Sequence, residues 1–154
     1  MAYGACNPSY AIDANFDATL DTSHRAGAAG SPKAVKAQLR QVDALQREFL
    51  VSRREGDLRR TCLHAVCAGA VLLKTSDADY AGVIKELCDA GADPNALDDE
   101  HASPLHWAAL RGHTGAIQRL IAGGADSNAK NDKAFTPLHT AAMDGQVTAV
   151  EALL

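Results

Sequence analysis

Apolar positions in the second half of the chain fall on helical spacings that recur at one fixed interval. Ile84, Ile117 and Val150 are 33 residues apart, as are Leu87, Leu120 and Leu153, and Cys88, Ile121 and Leu154. In the middle copy Ile117, Leu120 and Ile121 share one face of a helix. Polar punctuation keeps the same step: Ser103 and Thr136, Gly91-Ala92-Asp93 and Gly124-Ala125-Asp126, Asn95 and Asn128. Several independent columns at one offset mark an internal repeat.

The unit has a physical reading. Ser103 and Thr136 are N-caps, whose hydroxyls satisfy free backbone N–H groups. Pro104 and Pro137 follow at the first helical position, where a missing N–H costs nothing. The short helix ends at Gly112 or Gly145, the residue type that tolerates a left-handed stop. A second helix follows, stops at Gly123-Gly124 in the middle copy, and leads through Asp126 and Asn128 into a turn. Leu105, Ala108, Ala109, Ile117 and Leu120 fill the core columns.

The segment SPLHWAALRGHTGAIQRLIAGGADSNAKN resembles an ankyrin repeat: the Ser/Thr-Pro-Leu-His step, the Ala-Ala pair, Gly-His, the apolar helix and Gly-Ala-Asp-x-Asn occur in order. The resemblance runs from Thr61 to Leu154. It implies an all-α solenoid of helix–turn–helix units with a projecting loop per unit. It also implies protein binding through the loop tips and the inner, first-helix face. Two departures stand out. From Thr61 to Gly91 is 30 residues, against 21 from Ser103 to Gly124, so nine extra residues separate the first pair of helices. A first helix extended through Leu73 and a longer loop over residues 74–77 both contribute to the expected solution. The glycine expected two residues before each cap is replaced by Arg59, His101 and Ala134, so these turns should depart from the family's usual tips.

Upstream of the repeats, residues 31–56 read as an N-terminal capping helix. Ser31 caps it, Pro32 starts it, and Val35, Leu39, Val42, Leu45 and Phe49 form one apolar stripe. A solenoid end needs such a cover. Residues 1–30 lack any period and read as an irregular or disordered N-terminal segment. The repeats then divide into 57–97, irregular with the insertion, 98–130, regular, and 131–154, truncated inside its second helix. That truncation leaves an uncapped C-terminal edge, through which the chain could self-associate, and suggests a longer native protein.

Composition narrows the function. The net charge of −4 lacks the basic bias of a nucleic-acid-binding domain. No apolar run approaches the roughly 20 residues needed to span a bilayer, and the start shows no signal peptide. Four irregularly spaced cysteines suit free thiols in a reducing compartment, cytoplasmic or nuclear. The periodic His64, His106 and His139 read as structural, since no base or nucleophile converges on them. Cys62-x-His64-x-x-Cys67 lacks the spacing of common zinc sites, and no phosphate-binding loop or hydrolase motif is present. No catalytic residue, metal or cofactor is expected.

The candidate binding residues come from positions that the resemblance places on the concave face. These are Trp107, Leu110 and Arg111 in the second unit and Phe135 and Met143 in the third, with Asp99, Glu100 and Lys133 at the loop tips. The only Trp of the chain is surplus to the core columns and is expected to form an exposed apolar patch with Leu110, Phe135 and Met143, of the kind that marks interaction sites. The basic run Arg53, Arg54, Arg59, Arg60 and the acidic run Asp98-Asp99-Glu100 read first as ordinary solvated faces, with opposite-sign patches that orient a partner as the alternative. The function expected is a module that binds a protein or peptide. The alternative is the targeting domain of a larger enzyme or effector.

Overall fold

The computed structural model describes residues 59–68 and 77–154. The anticipated helix over 31–56 and the segment 1–30 lie outside the described residues. Six helices follow in order: α1 (Cys62–Cys67), α2 (Asp77–Asp89), α3 (Pro104–Arg111), α4 (Thr114–Ala122), α5 (Pro137–Met143) and α6 (Val147–Leu153). Consecutive helices pair into hairpins, α1 with α2, α3 with α4 and α5 with α6. The hairpins stack so that α1, α3 and α5 form one layer and α2, α4 and α6 the other. There is no β-sheet among the described residues. The expected all-α solenoid is the observed architecture.

Each first helix begins as its sequence predicts. Thr61, Ser103 and Thr136 have extended backbone at the N-cap position, and each cap partners the histidine three residues on. The backbone N–H of Ser103 donates to His106 Nδ1 at 3.1 Å, and the Ser103 hydroxyl lies 2.9 Å from the same nitrogen. Thr61 and His64 repeat this at 3.1 and 2.8 Å. A nitrogen that accepts from a backbone N–H carries no proton, so the proton sits on Nε2. There it reaches the next hairpin: His64 Nε2 donates to the carbonyl of Ala102, and His106 Nε2 to that of Phe135, both at 3.0 Å. The periodic histidine therefore ties its own cap to the entry of the following unit.

The core columns are filled as the periodicity predicts, with Leu63, Leu105, Ala108, Ala109, Ile117 and Leu120 fully buried. α3 stops at Gly112 (φ +72°), whose bare α-carbon lets Gln146 of the next hairpin close in; a Cβ there would lie 2.3 Å from Gln146 Oε1. That approach lets Gln146 Nε2 donate to the Leu110 carbonyl at 3.3 Å.

Two expectations change. α1 closes at Cys67, with Ala68 as its capping residue, instead of running on to Leu73, and Asp77 opens α2 instead of ending a loop; residues 69–76 between them lie outside the described residues. The turns without glycine nevertheless keep a left-handed conformation: φ is +46° at Arg59, +52° at His101 and +59° at Ala134. Hydrogen bonds hold the turns at His101 and Ala134 there. Asp98 Oδ1 accepts from the N–H groups of Glu100 and Ala102, while the Asp98 carbonyl accepts from His101. Asn131 does the same for Lys133, Phe135 and Ala134.

Candidate functional site

The layer of first helices carries the candidate residues, and they divide by exposure. Arg111 and Met143 face solvent, with Met143 59% exposed, and Leu110 and Phe135 are half-buried. Leu110 and Met143 hold equivalent places on α3 and α5, as do Arg111 and Asp144, and α3 and α5 pack side by side. A row of apolar side chains therefore lies beside a row of charged ones. Arg111 is fixed rather than free: its Nε donates to the Ala68 carbonyl at the end of α1, at 3.0 Å. Phe135 stacks on His139 at 6.1 Å between ring centroids. Asp99, Glu100 and Lys133 are exposed on the loops between hairpins.

Trp107 departs from expectation. It is not an exposed patch member: 9% of its surface is accessible. The indole N–H donates to Asp98 Oδ2 at 3.0 Å, and the Arg60 guanidinium carbon lies 3.8 Å from the ring centroid. The cation covers the face of the ring, an arrangement that suits guanidinium groups. Arg60 and Asp98 also approach each other, Nε to Oδ2 at 3.8 Å. The physical reason is mutual: an indole needs an acceptor if it is to be buried, and the Asp98 carboxylate needs donors. Asp98 is correspondingly 4% exposed, so it belongs to the interior rather than to the acidic tip that Asp99 and Glu100 retain. Two members of the anticipated opposite-sign patches, Arg60 and Asp98, thus meet each other inside the fold.

The sequence carries one signal that would have found this cluster. Asp98 and Asn131 occupy the same column of the repeat, 33 residues apart, so Asp98 is the residue that braces a turn. A bracing carboxylate has a second oxygen to spend, and Trp107 and Arg60 use it.

The remaining polar chemistry is structural. Asn95 Nδ2 donates to the Gly124 carbonyl at 2.9 Å, and Asn95 Oδ1 accepts from Asp126 N–H at 2.8 Å, joining one turn to the next. His64 has both ring nitrogens engaged. Among the described residues no group of three His, Cys, Asp or Glu side chains is arranged to hold a metal ion. Burial pushes the Cys62 thiol up to about 12, raises Cys67 further, and raises half-buried Cys88, so none of the three is a ready nucleophile near neutrality. No described helix is long and apolar enough to cross a membrane.

Comparison with known proteins agrees with this architecture. No curated protein matches the chain significantly. The family model for ankyrin repeats in three copies matches residues 72–154, more than half of the chain. α1 lies just before that range but caps and packs as α3 does. With the repeat period, the stacked hairpins and this match in agreement, the chain belongs to the ankyrin-repeat family.

Proposed function

We propose that this chain is a protein-interaction module that binds a protein or peptide on the open side of its first-helix layer and on the adjoining loop tips. Ankyrin repeats are generally protein–protein interaction modules. The observation that carries the reading here is Met143, more than half exposed, in register with Leu110 and flanked by Arg111 and Asp144. Met and Arg are enriched at interfaces, and an apolar centre with a charged border is the usual interface anatomy. Phe135 borders this surface, and Asp99, Glu100 and Lys133 stand at its rim, where exposed charge acts on encounter and orientation more than on affinity. Trp107 acts by position: with Arg60 it stiffens the wall from which Leu110 and Arg111 project. The free thiols of Cys62, Cys67 and Cys88 suit a cytoplasmic or nuclear setting.

A second contact is carried by a separate observation. Val147 is 68% exposed on the last hairpin, and a second copy packing there would bury it. Sedimentation velocity across a concentration series separates this from a monomer.

Quantitative affinity capture tests the main reading. Wild type, Met143→Asp, Arg111→Glu and a control in the other layer, Ile121→Asp, are compared after matched circular dichroism. Partners retained by wild type and by the control, and depleted tenfold or more by both surface variants, are the expected result. Partners that ignore both surface variants would refute the assignment of this face.

A further inference from the structure

The first-helix layer changes sign from one unit to the next. On the middle unit Arg111 is exposed, one turn after Trp107 on α3. Its Nε is spent on the Ala68 carbonyl, and its terminal amino groups have no partner among the described residues. Arg60, stacked on Trp107 at 3.8 Å, adds a second positive charge beside it, and its buried Nε makes no hydrogen bond. The buried Asp98 approaches Arg60 only to 3.8 Å, and no described ion pair reaches Arg111. On the last unit Asp144 is exposed at the end of α5. One of its carboxylate oxygens meets Gln146 Nε2 at 3.3 Å, and no cation pairs with it among the described residues. Arg111 and Asp144 are equivalent positions, as are Leu110 and Met143 just before them. Packed helices lie about 8–10 Å apart, beyond ion-pair reach, so the two charges face outward unpaired beside an apolar row.

We propose that the occupant of this face is an extended peptide segment with an acidic and a basic side chain three residues apart, each next to an apolar one. This deepens the role assigned above to the first-helix surface and rests on it. The spacing follows from the scaffold. A polyproline-type segment rises about 3.1 Å per residue with three residues per turn, so side chains three apart share a face and stand about 9 Å from each other. That distance matches the step between packed helices, and five residues suffice to span both rows. The acid meets the terminal amino groups of Arg111, which offer parallel N–H donors, and Arg60 adds to the attraction. The base meets Asp144 at the oxygen that Gln146 leaves free. The adjoining apolar side chains cover Leu110 and Met143 and keep water from the two charge pairs. A segment with two acids is repelled at Asp144, and one with two bases is repelled at Arg111, so the surface selects by sign as well as by shape.

The test uses the full chain. A phage library of random dodecapeptides is panned on wild type, with Met143→Asp as the counter-selection. Peptides that lose tenfold or more in affinity on Met143→Asp are synthesised and measured by fluorescence anisotropy. Opposite charges three residues apart are expected in them, with a tenfold loss on Arg111→Glu and on Asp144→Lys. Changing the peptide's acid to lysine should restore binding to Arg111→Glu, and changing its base to glutamate should restore binding to Asp144→Lys. A misfolded variant cannot give that recovery. Should Arg111→Glu loosen the end of α1, Asp144→Lys, at an exposed position, decides alone. Peptides that depend on Met143 yet tolerate both charge reversals overturn the inference and leave the surface assignment standing. Charges seven residues apart, two turns of an α-helix, overturn it in favour of a helical partner. Enrichment only of peptides indifferent to Met143→Asp, or of none, overturns the inference and the surface assignment together.

Discussion

The Trp107 indole N–H donates to the buried carboxylate of Asp98, nine residues before it and outside its helix, while Asp98 braces its own turn with the other oxygen. One side chain thereby pins the loop that leads into α3 to the helix itself. Trp107→Ala removes a large buried ring and leaves Asp98 and Arg60 without their shared partner, so unfolding free energy should drop by about 3 kcal/mol. Trp107→Phe keeps most of the volume and loses the bond to a charged acceptor, a cost of about 1–2 kcal/mol. Urea denaturation of the two variants checks both the order and the size.

Acid should weaken the stack through His106. Burial holds the His106 imidazole below its ordinary value of 6.5, with the Phe135 carbonyl and the Asp98 charge opposing that shift. Between the two values the unfolded chain binds a proton that the folded chain refuses. The contribution is thus complete above pH 6.5 and is lost as pH falls through the lower, folded value, by about 1.4 kcal/mol per pH unit for each such proton. Urea midpoints taken from pH 8 down to pH 5 should decline over that window. Nitrogen NMR at neutral pH should find the His106 proton on Nε2.

Left-handed turns without glycine leave room for stabilisation. Ala134 sits at φ +59°, and an L-residue there costs roughly 1–2 kcal/mol, against somewhat less in added chain entropy for glycine. Ala134→Gly should therefore raise stability by about 0.5–1 kcal/mol. His101→Gly should gain less, because the His101 ring also contacts Asp132, Nδ1 to Oδ1 at 2.8 Å. Thermal denaturation of the two variants side by side measures the difference.

Gly112 and Gly124 provide a matched pair. Both have positive φ, but a Cβ at Gly124 meets open space and one at Gly112 meets Gln146. Gly124→Ala should cost about 1 kcal/mol for the backbone alone. Gly112→Ala should cost about 1 kcal/mol more, because it also displaces Gln146 from the Leu110 carbonyl. In a Gln146→Ala background the two glycine substitutions should become equal, which a double-mutant cycle reads directly.

Much of the fold was legible because its information is periodic. The 33-residue columns place Leu105, Ile117 and Leu120 in the core without any knowledge of neighbours. The histidines were readable as structural for the same reason, though their reach to the Ala102 and Phe135 carbonyls was not, since that bond forms only after the units stack. Trp107 was misread as surface because its cover, Arg60, comes from the preceding unit, across an insertion that breaks the period. The turns at His101 and Ala134 were misjudged by residue preference alone; hydrogen bonds to Asp98 and Asn131 over-determine the backbone and absorb the strain. Exposure at Met143, which singles it out on the proposed binding surface, has no signature in composition.

A glycine at position 101 would have no side chain to offer sideways. The imidazole there meets Asp132 on the neighbouring tip, and the Asp132 amide meets the Glu100 carbonyl beside it. These two fingers of the molecule are thus yoked at a set spacing, so a displacement of one is passed to the other.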